Sequence, residues 1–168
     1  MVRMIDDAYV IARKYCTKPR HDGSPAMQHI YNIQDILCDM GITFSYWNGT
    51  GYYYHLAAVL HDVIEDCHDV DPNDDSALKA IRELDVPDDG SMGGTRGWVL
   101  DVVKTLTHPP EEPYEAYIDR ITGALKLAPT QIKIADIIDN VTSNPTAKAR
   151  KNYRKALPRL YRRTAGFI

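Results

Sequence analysis

Residues 56–67 read Leu-Ala-Ala-Val-Leu-His-Asp-Val-Ile-Glu-Asp-Cys. Residues 56–60 are apolar, which argues burial. Two ligand-type residues, His61 and Asp62, follow at once, and Glu65 and Asp66 come one helical turn later. The spacing predicts one helix over residues 52–67. At 100° per residue, positions 61, 62, 65 and 66 of such a helix fall within an arc of about 140°. One face would then offer an imidazole and three carboxylates at the end of a buried stretch. Mixed nitrogen and oxygen donors suit Mn, Fe, Zn or Co and need no thiolate. The alternative is a solvated acidic helix end, although carboxylates at a helix C-terminus oppose the macrodipole.

Two further segments carry residues of the same chemistry. In residues 131–141, Asp136 is flanked by Ile132, Ile134, Ala135, Ile137 and Ile138. A carboxylate inside so apolar a helix needs a partner, because burying it unpaired is expensive. A metal would serve, and so would an arginine or a neighbouring helix end. Asn140 lies one turn on, on the same face. In residues 19–30, His29 sits four residues past Pro25, inside a second expected helix; alone, it reads more readily as a core or surface histidine than as a ligand. Arg20 and His21 fall in the loop before it.

Outward from these segments, helical periodicity dominates and no alternating strand pattern stands out. Helices are expected over residues 2–16, 25–40, 52–67 and 75–84, then 98–106, 112–126, 130–141 and 146–163. Pro25 opens the second and Gly41 stops it. Residues 85–97 read as a glycine-rich connector, without the Gly-Lys-Ser/Thr ending of a phosphate-cradling loop. The fold class is all-α, a bundle of roughly eight helices in one domain spanning residues 1–168.

At 168 residues the chain can bury a core without disulfides. Its three cysteines, Cys16, Cys38 and Cys67, form neither a disulfide framework nor a zinc ribbon, which suits a reducing cytoplasm. No apolar run approaches a membrane span, and the N-terminal acids do not suit a signal peptide. The net charge of −3 gives no reason to expect nucleic acid. The charge is unevenly spread, however. After Asp139 there is no acidic side chain, and eight Lys and Arg follow, whereas the rest carries twelve basic against 23 acidic residues. The basic tail fits either attraction of a phosphate-bearing ligand or acidic partner, or a solvated helix face.

The three segments, in this order, resemble the hydrolase domain of the RelA/SpoT family and its stand-alone form, the small alarmone hydrolase. That family carries Arg-Lys-x-Gly-x-Pro-Tyr-x-x-His, then His-Asp-x-x-Glu-Asp, then Lys-x-Ala-Asp-x-x-x-Asn. Here the first segment runs from Arg20 through Gly23 and Pro25 to His29. The second runs from His61 and Asp62 to Glu65 and Asp66, and the third from Lys133 through Asp136 to Asn140. The resemblance covers about residues 5–160. It implies an all-helical HD fold holding one divalent ion, usually Mn²⁺, with Fe²⁺, Co²⁺ or Zn²⁺ as alternatives. The ligands carry over to His29, His61, Asp62 and Asp136, and the catalytic carboxylates to Glu65 and Asp66. Arg20 carries over to an arginine lying against the guanine base, Asn140 to a nucleoside contact, and Ser143 to a ribose-contacting threonine. His21 stands where the family has lysine and Ala26 where it has tyrosine, both near the family's substrate; His21 can still contact phosphate.

The activity implied is metal-assisted removal of the 3′-pyrophosphate of ppGpp or pppGpp, leaving GDP or GTP. The metal would lower the pKa of a bound water and Glu65, with Asp66, would orient it or carry its proton. One rival is hydrolysis of another nucleotide on the same scaffold, such as a dNTP, a nucleoside monophosphate or NADPH. A second is a non-catalytic nucleotide-binding protein. The partner expected is a small purine nucleotide, with neither nucleic acid nor membrane; a homo-oligomer is left open.

Overall fold

The computed structural model describes residues 2–43, 50–84, 95–124 and 127–165. All regular structure among them is helical: α1 (Val2–Tyr15), α2 (Ala26–Asp39), α3 (Thr50–Val59), α4 (Val63–Val70), α5 (Ser76–Glu83), α6 (Thr95–Leu106), α7 (Tyr114–Gly123), α8 (Ala128–Thr142) and α9 (Ala147–Thr164). Positions 85–94 of the expected connector, and Lys126 at the end of one expected helix, lie outside the described residues.

The core follows from apolar spacing. On α1, Met4, Ala8, Ala12 and Cys16 recur every four residues and all are buried. On α8, Ile132, Ile134, Ala135 and Ile137 are fully buried, as an apolar pattern nearly all round the helix demands. α8 packs between α2 and α9, and its Asp136 and Asp139 meet His29 of α2. Local signals set the helix ends. Gly41 adopts φ +83° at the end of α2, where Ile42 N–H donates to Leu37 carbonyl and Gly41 N–H to Cys38 carbonyl. Thr146 caps α9, its hydroxyl accepting from Ala149 N–H at 3.1 Å.

One expected element is corrected. The helix expected over residues 52–67 is two helices, α3 and α4, with a turn at residues 60–62. In a continuous helix the Asp62 amide would donate to the Ala58 carbonyl. The His61 ring takes that carbonyl instead, Nδ1 donating at 2.8 Å. Glu65 and Asp66 therefore stand in the first turn of α4, where the helix dipole favours carboxylates, rather than at a C-terminus.

Candidate metal centre

Three helices and one turn supply the polar cluster. His29 comes from the first turn of α2, His61 and Asp62 from the α3–α4 turn, and Asp136 from the middle of α8. Ligand atoms of His29, His61 and Asp136 lie within 4.8 Å of one another, and all three residues are buried. His29 Nε2 is 3.2 Å from Asp136 Oδ1 and 3.7 Å from Asp62 Oδ2. Asp62 Oδ2 is 3.0 Å from His61 Nε2. The structure thus brings together the four residues expected to be ligands, with Asp62 the most exposed of them.

The orientation of both imidazoles is fixed from behind. With His61 Nδ1 on the Ala58 carbonyl, its Nε2 faces the cluster, buried and without a hydrogen-bond partner. His29 Nδ1 meets Asp139 Oδ2 at 2.6 Å, which leaves its Nε2 facing Asp136. Asp139 is itself held by Asn32 Nδ2 at 2.6 Å and by the Arg20 guanidinium at 2.5 Å. A carboxylate behind a histidine that presents its other nitrogen is the usual support of a metal-bound imidazole. An orphaned, buried Nε2 opposite carboxylates fits a divalent cation.

The charges are correspondingly polarised. Burial works against ionisation of Asp136, but the Lys133 ammonium, 2.6 Å from its Oδ2, and the His29 ring hold it ionised far below the usual carboxylate range. Lys133 also lies 5.1 Å from the centre of the Tyr117 ring, a cation–π contact. Burial would lower His29, yet its hydrogen bonds to Asp136 and Asp139 dominate and raise it to about 10. Burial, then the Asp62 charge, pushes Glu65 up to about 7 and Asp66 to about 6. Glu65 Oε2 accepts from the His108 amide at 3.0 Å, which fixes it beside the cluster.

These groups open onto a cavity of about 370 Å³. Arg20, His21, Asn140 and Ser143, all expected at the substrate, line it together with Glu65 and Asp66. Three of the four have protein partners. Arg20 is bound to Asp139, and Asn140 Nδ2 donates to Asp136 Oδ1 at 2.5 Å. Ser143 Oγ donates to the Asn140 carbonyl at 3.1 Å. His21 is exposed at the mouth, and Ala26 also lines the cavity. Sequence reasoning gave no role to Asp139, Asn32 or Lys133, although Lys133 opens the third matched segment. Each stands three residues from a candidate ligand on the same helix, Asn32 from His29 and Lys133 and Asp139 from Asp136, and that spacing was the available signal.

Fold and cluster together define an all-helical domain with a buried His–His–Asp group. Among solved structures, the chain is similar to a metazoan ortholog of SpoT, a protein described as hydrolysing ppGpp and playing a role in starvation responses. The two are 19% identical with a TM-score of 0.62, covering 95% of this chain and 86% of the other. No family model and no curated protein matches the sequence.

Proposed function

We propose that this protein is a metal-dependent nucleotide pyrophosphohydrolase that removes the 3′-pyrophosphate of ppGpp or pppGpp. The observation that carries the reading is the convergence of His29, His61 and Asp136 on one buried point, within a fold shared with a ppGpp-hydrolysing protein. His29, His61, Asp62 and Asp136 would hold one divalent ion, with Mn²⁺ first among candidates. Such an ion lowers the pKa of a bound water and polarises a phosphoryl oxygen. Glu65 orients the attacking water and takes its proton, while the phosphorus–oxygen bond to the ribose 3′-oxygen breaks. Asp66 returns a proton to that oxygen. The His29–Asp139–Arg20 chain keeps the imidazole aimed at the ion. We take residues 1–168 as one hydrolase domain acting in the cytoplasm; no described helix is long and apolar enough to cross a membrane.

One observation favours a second reading. The Arg20 guanidinium is tied to Asp139 at its N–H edge, and Ala26 leaves room where a ring would stand in the family motif. A different or bulkier purine nucleotide would then be the substrate. A panel of ppGpp, dNTPs and NADPH with Mn²⁺-loaded protein separates the two. The first reading predicts the highest kcat/KM for ppGpp, and a further gain for ppGpp over its best competitor in Ala26→Tyr. A higher kcat/KM for another nucleotide replaces it with the second; no turnover of any of them would leave a nucleotide-binding protein.

A further inference from the structure

The basic tail of the sequence has a structural counterpart outside the metal pocket. Between the C-terminal turn of α8 and the first half of α9 lies a second cavity, of about 510 Å³. Its lining residues do not overlap those of the metal pocket: Asn140 and Ser143 face one cavity, whereas Val141, Thr142 and Asn144 face the other. From α9, Arg150 and Arg154 contribute two cations one helical turn apart, and no lining residue is acidic. Asn144 adopts φ +55°, a left-handed conformation that asparagine tolerates, and its side-chain oxygen accepts from Arg150 Nη2 at 2.9 Å. Arg150 Nε donates to the Pro145 carbonyl at 3.1 Å. The guanidinium is thereby fixed while most of its five N–H donors remain open. Arg154 has no hydrogen bond or ion pair among the described residues. Other cations of α9 are neutralised by α7, through Lys155 with Glu115 and Arg159 with Asp119.

Apolar surface completes the cavity. Val141 is 48% exposed there, and the half-buried Tyr153 and Leu157 form the adjoining wall. Paired arginines recognise phosphate with directed, charge-assisted hydrogen bonds. A flat ring packs against an aromatic and aliphatic wall. The volume falls in the range of small-molecule sites. From these features we infer that the α8–α9 cavity is a second nucleotide site, which takes the phosphates of a separate molecule on Arg150 and Arg154 and its base against Val141, Tyr153 and Leu157.

The test is calorimetric titration of the metal-free, full-length protein with GDP, inorganic pyrophosphate and guanosine. The metal pocket carries Lys18, Arg20 and His29 as well as Asp62, Glu65, Asp66 and Asp69, so the variants below, not the missing metal, assign bound nucleotide to one cavity or the other. No turnover is involved, so the result does not depend on which nucleotide the metal pocket hydrolyses. GDP should bind at one site and guanosine should not. Arg154→Ala should weaken GDP and pyrophosphate by about tenfold, the effect of one lost charge-assisted hydrogen bond. Arg154→Lys should recover part of that, and Val141→Ser should weaken GDP while leaving pyrophosphate alone. Arg154 is exposed and unpartnered, so its variants should fold as the parent does. The inference is overturned if GDP does not bind, if Arg154→Ala binds GDP as tightly as the parent, or if binding disappears in His61→Ala, which would place the nucleotide in the metal pocket.

Discussion

At the residue scale, the candidate centre depends on groups that stand behind the expected ligands. Asp139 holds His29 Nδ1, and Arg20 and Asn32 hold Asp139. Such outer carboxylates set the ring orientation and raise the basicity of the imidazole. Asp139→Asn should therefore weaken Mn²⁺ binding by about 10–100-fold, measured by titration of metal-free protein. Unchanged affinity would show that Asp139 serves the fold alone. The protonation of the centre gives a second expectation. In the folded, metal-free protein His29 is raised to about 10, Glu65 to about 7 and Asp66 to about 6. Their unfolded values are about 6.5, 4.3 and 3.9. All three hold protons more tightly when folded, so their contribution to stability is full at low pH and is lost as pH rises through the folded values. The depressed Asp62, Asp136 and Asp139 act in the opposite sense, but below about pH 4, where unfolded aspartate titrates. The thermal midpoint of metal-free protein should therefore fall between about pH 5 and pH 8, and Glu65→Gln should flatten that slope. A midpoint that rises over this interval would contradict the assignment.

At the scale of elements, the helical content and the segments that carry His29, His61 and Asp136 were legible in the sequence, because apolar spacing marks buried helix faces. The break between α3 and α4 was not. Apolar residues stand on both sides of the break, at 56–60 and 63–64, as one helix would have them, and the interruption comes from a side chain, His61, taking the Ala58 carbonyl. A hydrogen bond of that kind leaves no periodic trace. It also reverses an electrostatic expectation, since Glu65 and Asp66 stand at the favourable end of α4. The clamp on His29 was hidden for a related reason: Arg20 and Asp139 are 119 positions apart, and only the packing of α2 on α8 makes them neighbours. The cap of α9 lies on the sequence side of this divide, in the Pro-Thr pair before the basic tail. Thr146→Ala should cost about 1 kcal/mol of stability, read as a lower denaturant midpoint at unchanged slope, with metal affinity intact. A loss of metal affinity would tie the α9 start to the centre.

At the scale of the molecule, the likeness to the solved structure is one of fold, at 19% identity. Within this fold, α2, α8 and the α3–α4 turn bring polar residues to one buried point. The charge distribution is organised on the same scale. The candidate metal pocket gathers carboxylates that a cation would neutralise, and α9 carries the excess of positive charge on the other side of the α8 end. The most direct measurement is a titration of Mn²⁺ into metal-free protein while pyrophosphate release from ppGpp is followed, in the parent and in His61→Ala. Release should be absent without metal, saturate at one ion per chain, and be lost together with the bound ion in His61→Ala. Release without metal, or undiminished in His61→Ala, would contradict the proposed metal-dependent hydrolase activity.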